Sequence, residues 1–268
     1  MSRLLFGAQV QANGIRQHYL RYGGKGPKLL ILPGITSPAV TWGFIAEELA
    51  ETMDVYVLDI RGRGLSDTGP ELDYSLGAMA GDVRPFIDAV GIEGCIVLGH
   101  SMGARIAMRA QTGFDLDARS IILADPPVAG PGRRKYPMGI AWYVDSIHEA
   151  LHGMTADDMR IYCPNWTEEQ RALRAQWLHT CYKPAIVEAY QGFHRDDIFP
   201  DVPKLPDHVM LMAAGKGGVI QPEDIAEFKA DKPAIDVQVV KDAGHMIPWD
   251  DLGTFLRLTR DFVGKAGA

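Results

Sequence analysis

Gly99-His100-Ser101-Met102-Gly103 is the segment of this chain with the clearest chemical content. It directly follows a short apolar run, Cys95-Ile96-Val97-Leu98, and directly precedes a stretch of good helix formers over 104–111. A serine with glycine two positions to either side, set between strand and helix, reads as a nucleophile on a sharp turn. The glycines are required because neighbouring Cβ atoms would clash with the strained backbone. Such a turn leaves the Ser101 hydroxyl exposed. It also aims the Met102 backbone N–H, at the positive end of the helix, toward the place where a tetrahedral oxyanion would form. A serine hydroxyl is a weak nucleophile until a base takes its proton, so the pattern calls for a histidine and a carboxylate elsewhere in the chain.

A second constellation competes with the first. His148-Glu149-Ala150-Leu151-His152 has the H-E-x-x-H form, which on a helix would present two imidazoles for a zinc ion, with the glutamate as base. The metzincin extension is absent, and eight histidines make a chance match of this kind unsurprising. These residues are therefore read as a solvent-facing helix, and no metal is expected.

The elements that would position these groups alternate. Buried parallel strands are predicted at Lys28–Leu32, Val55–Leu58, Cys95–Leu98, Ile121–Leu123, Val209–Met212 and, less cleanly, Val237–Val240. Helices are predicted between and after them at Ala39–Ala50, Ser75–Val90, Met102–Gln111, Pro222–Lys229 and Trp249–Phe262. Phe6–Ala12 and Ile15–Tyr22 flank Asn13-Gly14, a tight-turn dipeptide, so an antiparallel hairpin opens the chain. The alternation breaks between about Pro131 and Pro203, where helical patterns dominate and Thr167-Glu168-Glu169-Gln170 has the form of a capping box.

Composition narrows the function classes. The chain has 268 residues with 27 Lys plus Arg against 34 Asp plus Glu, a net charge of −7, which disfavours a nucleic-acid partner. Cys95, Cys163 and Cys181 are odd in number and form no C-x-x-C pair, so neither a disulfide framework nor a zinc knuckle is indicated. Leu4-Leu5-Phe6 is too short for a signal-peptide core, and no run suffices to span a bilayer, so no membrane association and a cytoplasmic location are expected.

Two further turns, Leu32-Pro33-Gly34-Ile35 and Asp59-Ile60-Arg61-Gly62-Arg63-Gly64-Leu65-Ser66-Asp67, join the serine turn, and with them the chain resembles the α/β-hydrolase family over nearly its whole length. The resemblance implies an α/β fold with a mostly parallel sheet, an antiparallel N-terminal edge and an inserted helical cap. The core would be 1–130 and 204–268, and the cap 131–203. It also implies acyl transfer through Ser101 with water as second substrate and no cofactor.

The resemblance places the base at His245, in Asp242-Ala243-Gly244-His245-Met246-Ile247-Pro248 just past the last predicted strand. His100 is its rival, and a packing or orienting role suits it better. The usual position of the acid is empty, because the segment after the Val209–Met212 strand reads Gly215-Lys216-Gly217-Gly218, with Gly218 where the carboxylate is commonly found. One strand earlier, Asp125 precedes Pro126-Pro127 at the carboxyl end of Ile121–Leu123, the rim where open sheets build their sites, and the acid is assigned there. Glu223 and Asp224 are the fallback acids. The oxyanion donors are expected to be the backbone N–H groups of Met102 and Ile35, with Thr36 replacing Ile35 if the loop register shifts by one.

The segments GHSMG, LADPP and DAGHMIP are together similar to those of family members that hydrolyse a linear N-formyl amide carrying a carboxylate. This implies a small anionic substrate, whose carboxylate needs a cation or hydroxyl donors that the sequence does not assign. Arg133, Arg134, Lys135, Tyr136, Trp142, Tyr143, Trp166, Trp177 and Tyr190 are candidates to line the pocket. A carboxylesterase, a carbon–carbon bond hydrolase and a ligand receptor retaining the same three residues are the alternatives. A serine nucleophile argues against a dehalogenase or epoxide hydrolase, whose covalent ester forms on a carboxylate.

Overall fold

The computed structural model describes residues 2–266. The outermost residues of the expected core, 1, 267 and 268, lie outside the described ones. Eight strands form one sheet: β1 (Leu4–Ala12), β2 (Ile15–Tyr22), β3 (Lys28–Leu32), β4 (Asp54–Leu58), β5 (Ile96–His100), β6 (Ser120–Ala124), β7 (Val209–Ala214) and β8 (Asp236–Val240). Their spatial order is β1-β2-β4-β3-β5-β6-β7-β8. β1 and β2 pair antiparallel, as does β2 with β4, and all remaining neighbours are parallel. The Asn13-Gly14 turn joins the first pair with both residues at positive φ, 52° and 76°.

The parallel strands are short and apolar because both of their faces are covered. β3 shows this directly: Leu30 and Leu32 enter one hydrophobic cluster, Leu29 and Ile31 the other, and all four are fully buried. On the second face pack α1 (Gly43–Leu49) and α10 (Leu252–Ala266), through Ile45, Leu49, Phe255 and Phe262. On the first lie α2 (Leu76–Gly81), α3 (Val83–Val90) and α4 (Met102–Gly113), through Met79, Phe86 and Ile106. Between β6 and β7 the chain makes α5 (Ile140–Ala150), α6 (Glu168–Leu178), α7 (Lys183–Arg195) and two short 3₁₀ turns, with no strand among these residues. The remaining helices are α8 (Pro222–Asp231) and the four-residue α9 (Ile247–Asp250).

Three helices expected as single runs are broken: Ala39–Ala50 opens as a 3₁₀ turn over Ala39–Trp42 before α1, and two others divide at an aspartate. The stretch over Ser75–Val90 divides at Asp82, whose carboxylate receives two bonds from Arg61, 2.6 Å and 2.5 Å, and one from Asn13, 2.8 Å. The last helix divides at Asp251, which leaves the helical conformation at φ −146° and caps α10 by accepting from the Thr254 amide. In both cases a buried or capping aspartate overrides the apolar periodicity. The capping box at Thr167 is present, with Gln170 N–H donating to Thr167 Oγ1 and Thr167 N–H to Gln170 Oε1. Among the described residues no helix is long and apolar enough to cross a membrane.

Candidate active site

Ser101 sits where β5 turns into α4, at φ 55° and ψ −118°, a conformation an L-residue holds only when its surroundings enforce it. The enforcement is steric. A Cβ on Gly103 would collide with the Leu32 carbonyl and lie 2.7 Å from the Pro33 oxygen, and a Cβ on Gly99 would run into the Gly103 carbonyl. The glycines therefore let α4 press against the end of β3 and hold the turn tight. The Ser101 N–H donates to Ala124 O at 2.8 Å, which ties the turn to β6.

Three side chains from three strand ends converge. Ser101 Oγ donates to His245 Nε2 at 2.9 Å, and His245 Nδ1 donates to Asp125 Oδ2 at 2.7 Å. Asp125 is fully buried, has φ 48°, and accepts a second bond at Oδ1 from the Ala214 N–H at 3.0 Å. The carboxylate thus has one oxygen fixed by the backbone of β7 and the other left for the imidazole. Such an arrangement sets the tautomer in which Nε2 is free to take a proton from the serine.

The segment at the empty acid position, Gly215–Gly218, passes against the His245 backbone. A Cβ on Gly217 would stand 2.9 Å from the His245 nitrogen, and Gly218 has φ 69°. The fallback acids are engaged elsewhere. Asp224 takes the Gln221 N–H at 2.7 Å and Arg134 at 2.5 Å at the start of α8, and Glu223 is exposed and 3.6 Å from Arg134.

His100 lies beneath the imidazole. Its Nε2 donates to His245 O at 2.9 Å, its ring centroid is 5.2 Å from that of His245, and Trp42 stands 5.5 Å away on another side. Complete burial, with the nearby His245 as a smaller contribution, pushes its pKa down to about 3, so it is neutral at ordinary pH. This is the packing and orienting position expected of it.

The loop carrying Ile35 and Thr36 is pinned by arginines. Arg63 Nε donates to Ile35 O at 3.0 Å, and Arg174 donates to Thr36 O at 3.2 Å and Thr36 Oγ1 at 2.9 Å. Gly34 brings this loop against the serine turn, where its absent Cβ would lie 3.5 Å from Ser101 Cβ. Ile35 and Ser101 both line a cavity of about 300 Å³.

The opposite wall of that cavity comes from the residues between β6 and β7. Of the candidates raised from sequence, Tyr136, Trp142, Tyr143 and Trp166 line it, whereas Arg133, Arg134, Lys135, Trp177 and Tyr190 do not. Arg133 is paired with Asp197 and Glu227, and Tyr190 packs on Tyr136 and Phe193. Arg174, Met138, Cys163 and Asp250 also line the cavity, and sequence reasoning did not single them out. The Tyr136 hydroxyl is 3.2 Å from that of Tyr143, and burial pushes both phenols above their usual range.

The H-E-x-x-H segment builds something else. α5 ends at Ala150, so His152 lies beyond the helix, and Glu149 accepts a 2.7 Å bond from the Tyr162 hydroxyl. Among the described residues, no three histidine, cysteine, aspartate or glutamate side chains gather in a way that would hold a metal ion.

A doubly covered sheet with a strained serine at the end of its central strand, hydrogen-bonded to a histidine on the last strand-to-helix loop, defines a hydrolase class, and the chain belongs to the alpha/beta hydrolase family, whose model matches residues 29–256. It is 56% identical over 263 residues, 98% of each chain, to the N-formylmaleamate deformylase of Pseudomonas putida KT2440. Its fold superimposes on a crystal structure of a variant of the N-formylmaleamic acid deformylase of Pseudomonas putida S16 with a TM-score of 0.91 and 53% identity, covering 95% of this chain and 100% of that one. The (E)-2-(acetamidomethylene)succinate hydrolase shares the fold at a TM-score of 0.79 and 20% identity, over 97% of this chain and 99% of that one.

Proposed function

We propose that this enzyme hydrolyses N-formylmaleamate to maleamate and formate, with Ser101 as nucleophile, His245 as base and then acid, and Asp125 as its orienting carboxylate. The observation that carries the reading is 56% identity across 98% of a deformylase, and the hydrogen-bonded chain from Ser101 to Asp125 supports the assigned roles.

In the first half-reaction Ser101 Oγ attacks the formyl carbon while His245 Nε2 takes the hydroxyl proton. The carbonyl oxygen becomes an oxyanion facing the backbone N–H groups of Met102 and Ile35. Collapse breaks the formyl C–N bond, and the imidazolium returns its proton to the departing amide nitrogen, releasing maleamate. Water, deprotonated by the same imidazole, then attacks the formyl ester and frees formate. Asp125 stays ionised throughout and stabilises the imidazolium. A formyl group needs little room on the acyl side, so most of the 300 Å³ serves the leaving amide and its carboxylate. Residues 131–203 act in this reading as a cap over the serine, and the free, buried cysteines accord with a cytoplasmic enzyme.

The test is formate release from N-formylmaleamate beside turnover of a short p-nitrophenyl ester, with a chelator in both assays. Rapid, chelator-insensitive formate release exceeding the ester rate is expected. Ester turnover with no formate would overturn the substrate assignment and leave an esterase.

A further inference from the structure

Among the residues lining the cavity, Arg174 is the one permanent cation. It is 4% exposed, yet among the described residues no carboxylate pairs with it. Of the five N–H donors of a guanidinium, two are taken up by Thr36, whose acceptors are neutral, and Nε has no partner. Its charge lies over the rings of Trp142, 5.2 Å to the centroid, and Trp166, 5.8 Å.

The other arginines with similarly low exposure are differently placed. Arg61 makes a two-pronged pair with Asp82. Arg105 is wrapped by the carbonyls of Pro127, Ala129, Gly192 and Asp196, Arg171 donates to the carbonyls of Ala156 and Trp166, and neither of these nor Arg63 lines the cavity. A buried guanidinium without an opposing charge is costly to hold, and the cost falls when an anion completes the site.

We propose that Arg174 binds the carboxylate of the leaving fragment and thereby selects short N-formyl amides that end in a carboxylate; this rests on the amide reading above. Ser101 and Arg174 line the same cavity, and so do Tyr136 and Tyr143, whose hydroxyls lie 3.2 Å apart. The one acidic lining residue, Asp250, is exposed, accepts the Gly244 N–H at 2.8 Å and forms no ion pair with Arg174. Arg174 is thus a specificity-determining residue that also steadies the Thr36 loop.

Those two roles separate by substrate charge. Arg174→Met and Arg174→Lys would be assayed on N-formylmaleamate and on its isosteric terminal amide, reading the ratio of the two kcat/KM values. Loss of the anchor lowers that ratio about 100-fold in Arg174→Met, with partial recovery in Arg174→Lys. An equal fall on both substrates, or no fall, would overturn the proposal and leave Arg174 as a brace for the loop. If Arg174→Met does not fold, Arg174→Lys and inhibition by maleamate against its uncharged diamide carry the same comparison: weakened inhibition by maleamate alone supports the anchor, and unchanged inhibition overturns it. Should the wild-type enzyme release no formate, the substrate reading fails by itself. 4-Acetoxybutanoate and 4-acetoxybutanamide then test the anchor on their own, a ratio lowered in the variants supporting it and an unchanged ratio overturning it.

Discussion

The two walls of the cavity are built by different means. The wall that holds Ser101, His245 and the Ile35 loop is shaped by main chain: two non-glycine residues at positive φ, glycines whose Cβ would meet backbone, and carbonyls held by buried arginines. The facing wall, from residues between β6 and β7, is shaped by side chains that lock one another. Trp142 stands edge-on to Tyr143 at 4.9 Å and to Tyr162 at 5.9 Å, and Tyr136 meets Phe193 at 5.1 Å. Reaction geometry tolerates displacements well under an ångström, and backbone fixed by strand ends provides that precision. Recognition needs a surface that can differ between relatives without moving the serine, and interlocked aromatics on an inserted segment provide that.

The sharpest way to break this comparison is to attack the reacting wall without altering its backbone. Ser101→Ala removes the attacking oxygen, and Asp125→Asn keeps a residue suited to φ 48° while removing the carboxylate that fixes the His245 tautomer. Each is expected to lower kcat about 10³- to 10⁵-fold with an unchanged melting temperature within a few degrees. Asp224→Asn, which disturbs only the start of α8 and the contact with Arg134, should leave kcat within about threefold, since it lies outside the reacting wall. Full activity in Asp125→Asn, with loss in Asp224→Asn, would reverse the assignment of the acid.

A smaller effect in free energy separates main-chain from side-chain construction. Gly103→Ala introduces a Cβ against the Leu32 and Pro33 carbonyls, neither of which can swing aside, so the expected cost is about 3 kcal/mol in unfolding free energy. Trp142→Phe, on the facing wall, shortens one ring of a partly buried aromatic cluster and should cost about 1 kcal/mol. Urea denaturation of the two variants checks the order. A Gly103→Ala protein as stable as Trp142→Phe would mean that the close approach of α4 to β3 is not what holds the serine turn.

The same division explains what is legible in the sequence. Main-chain geometry leaves a local signature, because a turn that needs glycine at 99 and 103 must have it whatever else surrounds it, and the strands beside it must be short and apolar. Hence β3 is legible to the residue at both ends, and the apolar runs and the turns that close them put Ser101 and Asp125 at strand ends, while the choice of His245 among eight histidines comes from the family resemblance. Side-chain recognition leaves no such mark. The capping box at Thr167 places the start of α6, but nothing local says that Arg174, two turns on, faces a cavity while Arg133 and Arg134 pair with acids outside it. That information lies in contacts across more than 130 residues of chain, such as Arg174 with Thr36. The break at Asp82 is hidden because the apolar period continues through it and its partner Arg61 comes from another turn of the chain, 21 residues away, whereas the break at Asp251 is a local cap that the continuing apolar period masks.

His100 sharpens the comparison from the side of pH, because it is a side chain within the main-chain wall. Its folded pKa of about 3 lies below the value near 6.5 of an unfolded histidine, so between those limits the unfolded chain binds a proton that the folded one refuses. The stability it allows is fully present above about pH 6.5 and is lost progressively as the pH falls toward 3, by at most about 1.4 kcal/mol per unit. His100→Gln removes the titration while keeping an N–H donor for His245 O, so its melting temperature should fall less than that of the wild type between pH 7 and pH 4.5. Parallel declines would place the acid sensitivity in other groups. A variant with the shallower acid limb but a kcat lowered by about tenfold would further indicate that the imidazole ring beneath His245, and not its hydrogen bond alone, holds the base in line with the serine.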